Sequence, residues 1–374
     1  MLTEQINQED VFTDSSNAKK LPGKLIKLLE QLDLQQKGQL KNKELFITVS
    51  LCSGMGGLDL GFEQTGRFIT LYAIDNVGHA VDTFRLNFEG TCCELAEINA
   101  AMTGQSILDR INAWYKQEYG IELNLQPGDI DVVIGGPPCQ DFSMMTRHRN
   151  IQPEESEKIN LFYECVRIAK ELGSKTFVFE NVPAMLQGEM APTGFKVMNS
   201  FTDSGYYYNY KELCGVHYGM PSSRRRLFFV AVQQELKQMG ILPVYPKPDL
   251  AGAEHLRIKD IFPYIEYICT NQFSNKLLGR DKFCPTITRS TALTVFTQGQ
   301  WRNMSIEEAL RFQSFPADYK FPDNRGYAEK HARIGNSVGP AVAKAVAECV
   351  ANDMLDKYYQ MVAEHDKESF KMAA

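Results

Sequence analysis

The chain has no apolar run near the roughly 18 residues that a membrane-spanning helix needs, so a helical span is not expected. Met1–Ser16 is polar and acidic without an apolar centre, so it does not read as a secretory signal. No Cys-x-x-Cys pair occurs, and the adjacent Cys92-Cys93 is not a zinc-binding spacing. Nine scattered cysteines fit a reducing cytoplasm rather than a disulfide framework, and no metal site is expected. A phosphate-binding Gly-Lys-Ser/Thr is missing, which sets nucleoside triphosphate hydrolysis aside. Internal repeats are absent. A positive excess is missing as well: the formal charge is −6. Phosphates respond to local patches rather than to the total, however. Three basic clusters exist: Arg147-His148-Arg149, Arg224-Arg225-Arg226, and the group Lys276, Arg280, Lys282, Arg289 and Arg302.

What is present fits a globular enzyme. The 374 residues, 44% apolar and 23% charged, allow one large domain and a smaller one. Residues 1–45 form an extension, partly disordered, whose Leu25, Leu28, Leu29 and Leu32 recur at helical spacing. Strands are predicted at Phe46–Leu51, Ile69–Asp75, Asp131–Ile134, Thr176–Glu180 and Leu227–Val232. Helices are predicted near Leu58–Gln64, His79–Phe88, Ser106–Tyr119, Lys158–Glu171, Thr193–Thr202, Ser305–Phe312 and Pro340–Leu355. This alternation implies an α/β fold with a doubly wound, mostly parallel sheet covered on both faces. The main domain then takes in 46–235 and 305–374, and a separate small region, rich in proline and without clear periodicity, occupies 236–304.

Four motifs carry chemistry. Leu51-Cys52-Ser53-Gly54-Met55-Gly56-Gly57 links a strand to a helix, where glycines and free N–H groups let a ligand approach closely. Asp75 ends the next strand, where a carboxylate holds a ribose hydroxyl pair, so a nucleoside-bearing cofactor is expected. Pro137-Pro138-Cys139-Gln140-Asp141-Phe142-Ser143 follows a buried strand and puts a candidate nucleophile, Cys139, on a loop near basic groups. Glu180, at the end of the apolar run Phe177–Phe179, is a carboxylate driven to the same sheet edge, where burial would make it a proton donor. Gly335-Asn336-Ser337-Val338-Gly339-Pro340 reads by itself as an N-capped helix start.

Taken in order, the Gly-rich turn, the acidic strand end, Pro-Cys-Gln, Glu-Asn-Val, the arginine cluster and Gly-Asn-Ser-Val closely resemble the cytosine-C5 DNA methyltransferase family, over about Ile47–Val350. The resemblance implies a Rossmann-like methyltransferase fold, with S-adenosylmethionine as cofactor and duplex DNA as partner. It implies that Ser53, Gly54, Met55, Gly56, Gly57, Asp75, Asn76, Glu97, Ile98, Pro138, Leu161, Asn336 and Val338 hold the cofactor. Cys139 would be the nucleophile, Glu180 the partner of the base, and Arg224 and Arg226 the catalytic arginines. Gln140, Ser143, Arg147, Arg149 and Arg289 would face DNA, and 236–304 would be the target-recognition region. A cytoplasmic monomer, with a cognate restriction endonuclease as a further partner, completes the expectation. Its alternatives are the tRNA-methylating branch of the family and a catalytically silent DNA-binding subunit. The sequence departs from the family pattern at Cys52, where phenylalanine is usual, at Ser222 and Gly339, and in a longer segment at 100–126.

Overall fold

A computed structural model describes residues 21–37, 42–137, 157–270, 276–290 and 293–373. Seven strands form the main sheet: β1 (Phe46–Leu51), β2 (Phe68–Asp75), β3 (Cys92–Leu95), β4 (Val132–Gly135), β5 (Thr176–Asn181), β6 (Tyr206–Cys214) and β7 (Arg225–Gln233). Their order is β3-β2-β1-β4-β5-β7-β6. All neighbours pair in parallel except β7, which is antiparallel to both β5 and β6. The start of β7 therefore lies at the edge where the parallel strands end. β1, β4 and β5 are buried along their whole length, as expected for strands covered on both faces.

One face packs against helices Gly104–Tyr119, Glu157–Glu171 and Ala191–Asp203 through Ile107, Ile111, Phe162 and Phe201. Leu25, Leu28 and Leu29 of helix Gly23–Gln36 join that cluster. The other face is covered by helices Gly57–Glu63 and Pro340–Cys349, with Leu58, Phe62, Val342 and Val346 in contact with Phe46, Val132 and Val178. The last predicted helix is interrupted, because a π-helical segment, Val350–Leu355, follows Cys349. No described helix is long and apolar enough to cross a membrane.

The small region carries short helices Leu250–Ala253 and Ile258–Ile261 and a four-stranded antiparallel sheet. Its strands are β8 (Tyr267–Thr270), β9 (Lys276–Gly279), β10 (Thr294–Thr297) and β11 (Gln300–Asn303), in the order β11-β10-β8-β9. It shares its core with the main domain: Ile258, Phe262, Ile268 and Val295 pack in one cluster with Met55, Val81 and Phe84.

At the amino edge of the main sheet, Asp131 precedes β4 and is fully buried. Lys43 Nζ lies 2.7 Å from its Oδ2, with the lysine side chain only 4% exposed. The Ile47 amide donates to the same oxygen at 2.7 Å, and the Tyr359 hydroxyl donates to the other. Both oxygens of this carboxylate have donors, which is what makes a buried ion pair tolerable.

Candidate functional site

The carboxyl edge is built differently. After β1 the backbone turns through left-handed conformations at Cys52 (φ 54°), Gly54 (φ 58°) and Gly56 (φ 86°). The Ser53 amide donates to the Ile74 carbonyl at 3.0 Å, pinning the turn to the end of β2. Asp75 closes the turn from below: its carboxylate accepts from the Gly54 amide at 2.8 Å and the Val77 amide at 2.9 Å. Burial raises its proton affinity, and those two amides and Arg333 pull it back down. A Cβ at Gly57 would sit 2.2 Å from Ser337 Oγ and from the Val338 carbonyl, so only glycine lets these two distant segments touch. Gly54 is the opposite case, since a Cβ there would meet nothing within 4 Å. The turn thus opens onto free space at Gly54 while closing on Ser337 at Gly57.

Two buried polar atoms beside this turn have no hydrogen-bond partner among the described residues, Ser53 Oγ and Arg333 Nε. Ribose hydroxyls, an ammonium group and a carboxylate would suit such a set of amides, hydroxyl, carboxylate and guanidinium. The residues present therefore fit S-adenosylmethionine. No cluster of three His, Cys, Asp or Glu side chains suited to a metal occurs among the described residues.

Glu180, in β5, is 8% exposed. Burial raises its proton affinity above that of an ordinary carboxylate, and Arg226 and then Arg224 act against that. Arg226 Nε stands 2.7 Å from Oε1, an ion pair whose angle leaves that oxygen without a well-directed hydrogen bond among the described residues. β4 ends in Gly135, where a Cβ would sit 2.5 Å from the Leu51 carbonyl, and at Gly136 a Cβ would be 3.6 Å from Glu180 Oε2. The Pro137 carbonyl then accepts from Asn181 Nδ2 at 3.2 Å. The chain leaving β4 therefore starts alongside Glu180. Pro138, Cys139, Gln140, Ser143, Arg147 and Arg149 lie outside the described residues.

The other expected residues divide. Arg226 is at the Glu180 carboxylate, whereas Arg224 is 3% exposed and spends its guanidinium on backbone carbonyls. It donates to Ile287 at 2.8 Å, Gly335 at 2.9 Å and Ser337 at 3.0 Å, tying the start of β7 to the end of helix Tyr327–Asn336. Met55 turns its side chain into the core, and its carbonyl accepts from the Tyr319 hydroxyl. Asn76 and Asn336 are exposed, and Val338 is buried. Leu161 and Ile98 are half-buried and pack on the same core cluster. Glu97 is exposed at a shallow pocket of about 290 Å³ that Ala96, Met102 and Arg110 also line. Arg289 is exposed. Gly335–Pro340 is not an N-capped start: Asn336 ends one helix, and the next begins at Pro340 after Gly339 without a side-chain cap.

Sequence reasoning missed two residues. Arg333 lies on a helix that the polar stretch 327–336 did not announce. Asp59, within helix Gly57–Glu63, is fully buried, and desolvation pushes its carboxyl up to about 7. The Ser50 and Thr70 hydroxyls face it without a well-directed hydrogen bond. Its setting among Gly57, Leu58 and Leu60 was the signal that could have found it.

The small sheet presents a second surface. Across it the register places Gly279, Tyr267, Phe296 and Trp301 in one row, with Ile268 and Val295 facing the core. Tyr267 and Trp301 are 41% and 49% exposed. Ring centroids lie 6.1 Å apart for Tyr267–Phe296 and 5.2 Å apart for Phe296–Trp301. Lys276, Arg280 and Lys282 are exposed beside this row.

Comparison with known proteins places this geometry. The profile of a family described as C-5 cytosine-specific DNA methylase matches residues 46–292 and 264–352. The Type II methyltransferase M.MthTI of Methanothermobacter thermautotrophicus is 27% identical over 366 residues, covering 82% of this chain and 97% of that relative. The Type II methyltransferase M.Bsp6I of Bacillus sp. (strain RFL6) is 25% identical over 335 residues, covering 82% and 98%. Among solved structures, a candidate DNA modification methyltransferase encoded within an E. coli prophage superposes with a TM-score of 0.59 at 22% identity, covering 82% of this chain and 99% of that one. A Spodoptera frugiperda DNMT2 mutant gives 0.57 at 18%, covering 82% and 98%.

Proposed function

This chain belongs to the C-5 cytosine-specific DNA methylase family and is a DNA (cytosine-5-)-methyltransferase, and from that premise we propose that it methylates C5 of a cytosine swung out of duplex DNA, through a covalent bond between Cys139 and C6. The observation that carries this reading is the start of the Cys139 loop beside Glu180, with Asn181 gripping the Pro137 carbonyl and Arg226 at the carboxylate.

Cytosine C5 is a weak nucleophile. Addition of the Cys139 thiolate to C6 breaks the C5–C6 double bond and places an electron pair on C5. Glu180 holds N3 and the exocyclic amine, and its raised proton affinity suits a carboxyl that shares a proton with N3 as charge develops there. Arg226 orients Glu180 by ion pairing. When bound, S-adenosylmethionine supplies an electrophilic methyl group on a sulfonium. Ser53, the amides of Gly54–Gly57, Asp75 and the Asn336–Val338 turn would hold it. Loss of the C5 proton to a base or water then restores the double bond as the thiolate leaves.

Swinging the base out costs a few kcal/mol of stacking and pairing. Arg147, Arg149 and Arg289 would offset part of it by contacting phosphates. The exposed Tyr267–Phe296–Trp301 row, with Lys276, Arg280 and Lys282 beside it, supports assigning target recognition to 236–304. The Type II names of the relatives support a place in a restriction-modification system; a cognate endonuclease and action as a cytoplasmic monomer on DNA complete the proposal.

The test uses duplexes carrying 5-fluorocytosine, in which fluorine replaces the C5 proton and cannot leave as a cation, so the adduct is trapped. With S-adenosylmethionine the protein is expected to form a denaturant-stable adduct of protein plus DNA, and Cys139→Ser is expected to form none. An adduct that persists in Cys139→Ser, or failure of the unaltered protein to form one on duplexes covering varied sequence contexts, overturns the covalent reading. Bisulfite sequencing of host DNA after expression supplies those contexts.

A further inference from the structure

The buried Nε of Arg333 has no hydrogen-bond partner among the described residues. The residue is 9% exposed, and no ion pair engages it among the described residues. A buried charge left this way is costly, and such groups are retained where a ligand completes them. Its surroundings are specific. It lies in the last turns of helix Tyr327–Asn336, one turn before the cap residue Ser337. Ser337, which caps this helix, lies 2.2 Å from where a Cβ at Gly57 would sit, so the helix that carries Arg333 ends against the Gly54–Gly57 turn. Asp75 is near enough to act on Arg333 electrostatically but makes no ion pair with it. Glu329, one turn back on the same helix, also acts on it from a distance, and Arg289 opposes it with like charge. The Arg289 backbone is fixed nearby, since a Cβ at Gly335 would sit 2.6 Å from the Arg289 amide nitrogen. His79, beyond Asp75, completes the set of titratable neighbours.

Resting on the cofactor reading above, we propose that Arg333 binds the carboxylate of the cofactor's methionine moiety and makes the enzyme selective for cofactors that carry it. That carboxylate is the cofactor's one anionic group, and a guanidinium fork matches it with two parallel hydrogen bonds. Asp75 takes the ribose at one end of the turn and Arg333 the amino-acid tail at the other. A DNA phosphate is the competing anion. Burial argues against it, because Arg289, exposed at the same place, is the cation that a backbone phosphate would reach first.

The test compares two ligands that differ only in this group, S-adenosylhomocysteine and its decarboxylated analogue, S-adenosyl-3-thiopropylamine. Their affinities are measured by calorimetry without DNA, for the unaltered protein, Arg333→Met and Arg333→Lys. The unaltered protein should prefer the carboxylate form by roughly 10–100-fold, the range for hydrogen bonds to charged groups. Arg333→Met should bring that ratio close to one, and Arg333→Lys should leave an intermediate ratio. The ratio is insensitive to a general loss of folding, which would weaken both ligands together. A ratio unchanged in Arg333→Met overturns the proposal, and a fall in duplex affinity at unchanged ratio assigns Arg333 to a phosphate instead. If the unaltered protein binds neither ligand, the cofactor reading itself is what fails.

Discussion

The two edges of the main sheet hold buried charge in opposite ways. At the amino edge Asp131 is surrounded by Lys43, the Ile47 amide and the Tyr359 hydroxyl, and nothing is left for a ligand. At the carboxyl edge Glu180 Oε1, Ser53 Oγ and Arg333 Nε are buried and unsatisfied among the described residues. We read the difference as charge used to hold the fold against charge kept in reserve for a substrate. A saturated pair links segments far apart in sequence, whereas an unsaturated one costs stability until something binds.

Removing a partner at the saturated edge should produce the largest effect. Lys43→Met leaves Asp131 buried without its cation and is expected to cost about 3–5 kcal/mol, read by urea denaturation. Affinity for S-adenosylhomocysteine should not change in the folded fraction. A loss below about 1 kcal/mol, typical of an exposed pair, would erase the contrast between the edges. Glu180→Gln at the reserve edge should do the reverse. Methyl transfer should fall roughly 10²–10³-fold, about 3–4 kcal/mol, as when one charge-stabilising group is removed from an active site. The melting temperature at neutral pH should hold or rise. The sign follows from the raised proton affinity of Glu180: its contribution to stability is full below the unfolded carboxyl's range and is lost as pH climbs through the folded value. Near wild-type turnover, or a clear drop in melting temperature, would move Glu180 into the structural class.

Between the edges lies Asp59, whose carboxyl sits at about 7 in the folded state against 3.8 when unperturbed. The folded state should therefore lose stability as pH rises from about 4 to 7. Asp59→Asn should flatten that slope and gain roughly 1–3 kcal/mol over the unaltered protein at pH 8, with no difference at pH 4. Parallel melting curves for the two proteins across that range would show that Asp59 is already satisfied.

Much of the fold was legible because central strands announce themselves. β1, β4 and β5 are buried throughout and mostly apolar, being covered on both faces, and their ends fall within a residue or two of the apolar runs. β6 escaped because it is an edge strand with its middle exposed, and Tyr206–Cys214 shows no alternation to read. β3 has four residues, too few for a period. Helix Tyr327–Asn336 was hidden by its polar sequence, and Arg333 was hidden with it. In the site, the glycines and Asp75 were legible because a left-handed turn and a strand-terminal carboxylate each demand a residue type. The task of Arg224 was not, since three arginines in a row differ only in direction. Arg225 points to Glu212, Arg226 to Glu180, and Arg224 back to the Ile287, Gly335 and Ser337 carbonyls.

That ordering has a further consequence, traceable to the one strand that runs against its neighbours. Pairing of Glu180 with Phe228 and of Asn181 with Leu227 sets how far β7 projects past the end of β5. Because side chains alternate between faces, sliding β7 by a single residue would bring Arg225 or Leu227 to the place of Arg226. Alignment of Arg226 with the Glu180 carboxylate is thereby inherited from a ladder of six paired residues, Leu227–Val232 on the β7 side, and a bulge anywhere along it would misaim the arginine without touching the carboxylate.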